Sequence, residues 1–167
     1  CGWLGLPLGK FLVQRGFTVK GSTTSLEKVS ILSSAGIVPF HLLAKPQKIA
    51  GENLTEFFDS DLLILNIPPG RINEKVEEDH PAQIKTIIKN TKAKYILFIS
   101  STGVYGNTNA TAREEDELAP MRKSTKALVR VEGYLQSLTN KKVTILRMAG
   151  LVGGERKAGR FFAGKQG

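Results

Sequence analysis

The run Asp61-Leu-Leu-Ile-Leu-Asn-Ile67 constrains the fold more tightly than any other part of the chain. A strand with one face in water alternates apolar and polar residues. This run does not alternate, so it predicts a strand covered on both faces, as in a parallel sheet flanked by helices. Pro68-Pro69-Gly70 stops it. Lys94 to Ser100 is a second run of the same kind, and Val143 to Met148 a third. Helical spacing lies between them. Pro81 to Lys89 predicts a helix with Pro81 near its first position. Ser124 to Leu138 places Ala127, Leu128, Val131, Leu135 and Leu138 on one stripe.

The front of the chain shows the same alternation. Leu4 to Gln14 has helical spacing and ends at Gly16. Phe17 to Ser22 predicts a strand. Ser25 predicts the N-cap of a helix over Leu26–Ser34, which Ala35-Gly36 closes. Ile37 to Leu42 predicts the next strand. Residues 44–60 are polar and predict irregular structure, with one helical turn at Leu54–Phe58. Five strands separated by helices predict an α/β, Rossmann-type, doubly wound and mostly parallel sheet. At 167 residues and 41% hydrophobic, the chain predicts one domain with a genuine core. No run approaches the roughly 18 apolar residues of a membrane-spanning helix. One Cys and two isolated His residues, His41 and His80, argue against a disulfide framework and against a metal centre. The apolar stretch Cys1–Val13 has no basic segment ahead of it, so it does not read as a signal peptide. A soluble, cytoplasmic protein is the expectation.

Sheets of this kind bind ligands at the carboxyl ends of their strands. Those positions are Thr23–Ser25, Asn66–Pro69, Ser100–Gly106 and Ala149–Gly153. The opening Cys1-Gly2-Trp3-Leu4-Gly5 lies directly before a helix. Gly2 would let the backbone approach a pyrophosphate at the helix N-terminus, and Gly5 would let the helix pack closely. A dinucleotide fold also needs a strand ahead of such a turn, so a short apolar strand before Cys1 is expected. An acid about 20 residues after the glycines would grip ribose hydroxyls. Lys20–Ser25 holds none, and Thr23, Thr24, Ser25 and Lys28 lean towards NADP over NAD. Residues 141–167 carry seven Lys and Arg against Glu155 alone. Charge of this sort suits nucleic acid or small phosphorylated molecules, but no nucleic-acid-binding motif accompanies it.

Ser100-Ser101-Thr102-Gly103-Val104-Tyr105-Gly106 after a buried strand resembles the S-S-x-x-V-Y-G segment of extended short-chain dehydrogenases/reductases, the nucleoside-diphosphate-sugar epimerase/dehydratase family. The opening glycine turn, Glu117-x-x-Pro120, Thr144-Ile-Leu-Arg147 and Gly150-Leu-Val-Gly153 are similar to that family's segments in the same order. The resemblance implies an NAD(P)-binding domain over residues 1–153, with residues 154–167 beginning a substrate-binding portion. It implies Ser101 as the catalytic Ser that hydrogen-bonds substrate. Gly2, Trp3, Leu4, Gly5, Asn66, Ile67, Pro68, Ser100, Ala149 and Gly150 fall on its cofactor side. Tyr105 reads as structural. The family's Y-x-x-x-K pair is missing: no Tyr has Lys four residues later. Spacing from Lys126, a candidate for the family's Lys, puts Arg122 at the Tyr position. Spacing from Glu132 puts Ser124 at the Tyr position and Leu128 at the Lys position. An Arg side chain is no acid/base near neutrality, and a Ser hydroxyl lacks the phenol's accessible pKa. The expectation is therefore an epimerase/dehydratase-like oxidoreductase acting on a nucleotide sugar or related small molecule, with a non-enzymatic NAD(P) sensor or scaffold as the alternative. Family members often pair, so a homodimer is expected. Arg156, Arg160 and Lys165 would face substrate phosphates.

Overall fold

The computed structural model describes residues 1–70, 73–106, 110–154, 156, 157 and 159. The chain runs α1 (Gly5–Gln14), β1 (Lys20–Thr23), α2 (Glu27–Ser34), β2 (Val38–Ala44), β3 (Ile49–Gly51), α3 (Leu54–Phe58), β4 (Leu62–Leu65), α4 (Val76–Asn90), β5 (Tyr95–Ser101), a 3-10 turn (Thr102–Val104), α5 (Lys123–Gln136) and β6 (Lys142–Met148). The strands form two three-stranded groups, β1-β2-β3 and β4-β5-β6. β1 runs parallel to β2, with Thr23 opposite His41. β4, β5 and β6 are all parallel, with Leu65 opposite Phe98 and Ser101 opposite Met148. The architecture is α/β with mostly parallel pairing. Among the described residues β1 and β4 each keep one unpaired edge, and the sheet is discontinuous between them.

Several boundaries differ from the sequence-based expectation, each for a local reason. Gly16 does end α1, at φ +85°, and Phe17 N–H still donates to the Leu12 carbonyl at 3.1 Å. Phe17 thus belongs to the helix cap, and β1 starts only at Lys20. Ile37 does the same for α2, donating to the Leu32 carbonyl at 3.0 Å, so β2 starts at Val38. Ser25 does not cap α2 with its hydroxyl; the helix starts from Leu26 with no side-chain cap. Residues 44–60 are not irregular, because Ile49–Gly51 turns back as β3, antiparallel to β2. β4 is shorter than the apolar run and is not covered on both faces: Leu62 is exposed and only Leu65 is buried. Among the described residues it has a single neighbour, as an edge strand does. Pro81 lies well inside α4 rather than at its start.

The main core lies between the second sheet and the helices α4 and α5. Ile84, Ile87 and Ile88 of α4 and Leu128, Val131 and Leu135 of α5 close over Ile96 and Phe98 of β5. Each such side chain contributes about 1.5–3 kcal/mol on burial. Aromatic packing and side-chain hydrogen bonds tie the first sheet to this core. The Phe40, Phe57 and Phe58 rings meet in series, tilted at 5.2 Å and edge-to-face at 4.9 Å. Gln83 Nε2 of α4 donates to the Ala44 carbonyl at the end of β2, at 2.7 Å. Helix α1 packs down through Gly9, where a Cβ would sit 2.6 Å from the buried Ile37 side chain. No helix among the described residues is long and apolar enough to cross a membrane.

Candidate functional site

Parallel pairing puts the ends of β4, β5 and β6 on one rim, and the candidate residues follow those ends. The helix start reaches the same rim. Leu6 N–H donates to the Gly2 carbonyl at 2.9 Å, so the first turn closes at Gly2. A Cβ on Gly5 would lie 3.9 Å from the Asn66 amide just past β4. The Cys1 nitrogen donates to the Ser22 carbonyl of β1. The mouth of α1 therefore sits at the tips of both sheets. Among the described residues no side chain caps α1, and a Cβ on Gly2 would meet nothing within 4 Å. Trp3 reaches the segment after β6: the Arg156 guanidinium lies 4.1 Å from its ring centre, and Gly153 flanks the ring. Ala149 and Gly150 begin that segment.

Thr23, at the end of β1, is buried. Its hydroxyl accepts from Ser25 N–H at 3.2 Å and faces the Ser25 carbonyl at 3.3 Å. That hydroxyl is occupied in the turn. The Thr24 carbonyl is met by His41 Nε2 at 3.2 Å. Lys28 is close enough to residue 1 for its charge to act there.

A cavity of about 710 Å³ opens past the ends of β4 and β5. Asn66 flanks the position of a Gly5 Cβ, and Pro68, Pro69 and Gly70 of the same loop line the cavity. Ser101 and Gly103 contribute from the end of β5, and Arg122, Lys123, Ser124, Thr125 and Leu128 from the start of α5. Ser101 Oγ accepts from Gly103 N–H at 3.1 Å. The Thr125 hydroxyl donates to the Arg122 carbonyl at 2.9 Å and accepts from the Arg122 N–H at 3.2 Å, fixing the backbone at the helix start. Lys126 is exposed and lies outside the cavity lining. Ser124 and Leu128 both line it, so the spacing taken from Glu132 is the one that reaches the cavity with both residues. Neither position holds a phenol or an amine.

Beneath the Ser100–Tyr105 loop lies a polar network. Ser100 Oγ donates to Glu132 Oε1 at 2.5 Å. The Arg147 guanidinium grips the same carboxylate through Nε and Nη2, at 3.2 and 2.9 Å. Arg147 Nη1 also donates to the Tyr105 hydroxyl at 2.6 Å and to the Glu114 carbonyl at 2.9 Å. Glu132 is 1% exposed. Hydrogen bonding to Glu132 holds the Arg147 pKa above its usual value against the cost of desolvation. The Tyr105 hydroxyl and Ser100 are thus both engaged in this network. Composition and spacing missed the Glu132–Arg147 pair and the place of Lys123 and Thr125 in the cavity wall. A charge at position 132, on the apolar stripe of α5, was the available signal. The expectations for Arg160 and Lys165 lie outside the described residues.

No family model matches the chain. It is 35% identical over 168 residues to Protein YeeZ of Escherichia coli strain K12 and to Protein YeeZ of Escherichia coli O157:H7. These alignments cover 98% of this chain and 61% of the relatives, so the chain spans about three fifths of the length of the curated proteins it matches. A solved structure of a functionally unknown conserved protein from Silicibacter pomeroyi DSS superposes with a TM-score of 0.64 at 20% identity, covering 93% of this chain and 53% of that one. This likeness shows the shared fold.

Proposed function

We propose that the chain is the NAD(P)-binding part of an epimerase/dehydratase-like oxidoreductase. The observation that carries the reading is the seat of α1: a glycine-led, uncapped helix start meeting Asn66 at the strand tips, one loop away from the Ser101 cavity. Open space at Gly2, and the N–H groups of Trp3, Leu4 and Gly5, which have no partner among the described residues, suit a pyrophosphate. Gly2, Trp3, Leu4 and Gly5 would hold it, with Ile67 and Pro68 alongside and Ala149 and Gly150 on the far side. A bound nicotinamide dinucleotide would supply hydride transfer. Ser101 would hydrogen-bond a substrate carbonyl or hydroxyl from the cavity wall. Thr24, Ser25 and Lys28, without an acid among residues 20–25, favour NADP over NAD. Isothermal titration with NADPH and NADH tests this. Saturable heat, tighter for NADPH, is expected; no heat from either at millimolar concentration overturns it.

A second reading is favoured by one feature. Ser124 and Leu128 occupy the positions that line the cavity, and neither moves a proton readily. A protein that binds dinucleotide without turnover, as a sensor or scaffold for a partner, fits this wall. NADPH oxidation abolished by Ser101→Ala would decide for the enzyme. Binding without turnover across nucleotide sugars would decide for the sensor.

A further inference from the structure

The cavity beside α5 has a lopsided chemistry. Much of its wall is apolar, including the loop prolines and Leu128. Among the described residues that line it, the cations are Arg122 and Lys123, against Glu74 as the one carboxylate. Among the described residues neither cation forms a salt bridge. The Lys123 Nζ approaches a neutral acceptor, the Glu74 carbonyl, at 3.5 Å. Cations beside a low-dielectric wall concentrate positive potential in the space between. The Thr125 hydroxyl fixes the Arg122 backbone at both its N–H and its carbonyl, so the guanidinium is carried from a held point.

We infer that this cavity takes a small organic oxyanion, a carboxylate or a phosphate ester. Its negative group pairs with Arg122 and Lys123. Its apolar body lies against Leu128, and a carbonyl or hydroxyl reaches Ser101. Arg122 is the stronger partner, because a guanidinium meets carboxylate or phosphate with two parallel N–H donors. Only the naming of this anion as a substrate rests on the dinucleotide reading; the binding rests on the cavity.

The test is calorimetric titration of the whole chain with 2-oxoglutarate, with glycerol 3-phosphate, and with the uncharged dimethyl ester of 2-oxoglutarate. One of the two anions binds, the ester does not, and the anion that binds tells carboxylate from phosphoryl. Arg122→Gln weakens binding about tenfold or more. Arg122→Lys, which keeps the charge, falls between, and it also serves if Arg122→Gln melts early by circular dichroism. Lys89→Gln removes an exposed charge on α4 and leaves binding unchanged. Three results would each overturn the inference: no binding of either anion at about 10 mM, equal binding of the ester, or binding that survives Arg122→Gln. A melting shift with NADPH, recorded on the same samples, separates the two ideas. Anion heat without that shift leaves the cavity site standing and removes the dinucleotide reading; the shift without anion heat does the reverse.

Discussion

Glu132 shares a face of α5 with Leu128, Val131 and Leu135, which places a carboxylate in the core. Arg147, itself within a strand, answers it. Removing Arg147 leaves the buried Glu132 carboxylate with only the Ser100 hydroxyl, which costs about 3–5 kcal/mol, whereas Arg147 without Glu132 keeps Tyr105, Glu114 and some solvent. Urea unfolding of Arg147→Met should show a loss of that size and Glu132→Leu a smaller one, and the double variant should regain much of the larger loss. Single losses below about 1 kcal/mol would mean the pair carries no such load. His80 is the other buried polar residue with a consequence. Gln83 presents its Oε1 to Nδ1 at 3.3 Å, while its Nε2 is spent on Ala44. Nδ1 therefore carries the proton, and Nε2 has no partner among the described residues. Burial pushes the His80 pKa below its ordinary 6.5, outweighing the Gln83 bond. The unfolded chain then takes up a proton that the folded chain resists. Stability from this source is present above about pH 6.5 and is lost as the pH falls below it. Melting temperatures from pH 7.5 to 5 should show the decline, and His80→Gln should flatten it; an unchanged slope in that variant would assign the decline elsewhere.

Pro81 shows what an element can absorb. Its sequence position suggested a helix start, since Pro there costs nothing. Inside α4 it instead deprives the Glu77 carbonyl of its donor four residues on. Arg130 of α5 supplies the missing bond: Nη1 donates to that carbonyl at 3.0 Å, and Nη2 lies 3.4 Å from the Glu77 carboxylate. Arg130→Met should cost about 1 kcal/mol by urea unfolding. In a Pro81→Ala background, where the helix closes its own bond, it should cost less. Equal costs in both backgrounds would remove this explanation. The elements easiest to see in the sequence were those whose pattern is local and long. The stripe of α5 and the run of β5 need no partner to be visible. β3 was hidden because three residues ending in glycine carry no periodic signal, and it exists through pairing with β2. The starts of β1 and β2 were misplaced because Phe17 and Ile37, apolar like strand residues, complete helix caps.

Across the molecule, the carboxyl rim of the sheet brings together residues far apart in sequence. Ser101 and the prolines after β4 were legible because the α/β pattern says where ligands sit before any contact is known. The cavity's charge was not, because it depends on how the start of α5 meets the loop after β4. The meeting of Trp3 with Arg156 depends likewise on chain ends that approach only in the fold. The proposal as a whole stands on the mouth of α1. Gly2 offers a direct handle there, because a Cβ added at that point meets nothing within 4 Å among the described residues, so a larger side chain should leave folding intact while filling the approach to the backbone amides at the helix start. Thermal unfolding of the wild type and of Gly2→Val with and without NADPH is the decisive measurement. At a hundred times its dissociation constant, NADPH should stabilise the wild type by about 2.7 kcal/mol, and Gly2→Val should unfold at the wild-type temperature yet lose that gain. No stabilisation of the wild type, or an undiminished one in Gly2→Val, would contradict a dinucleotide seated at this helix.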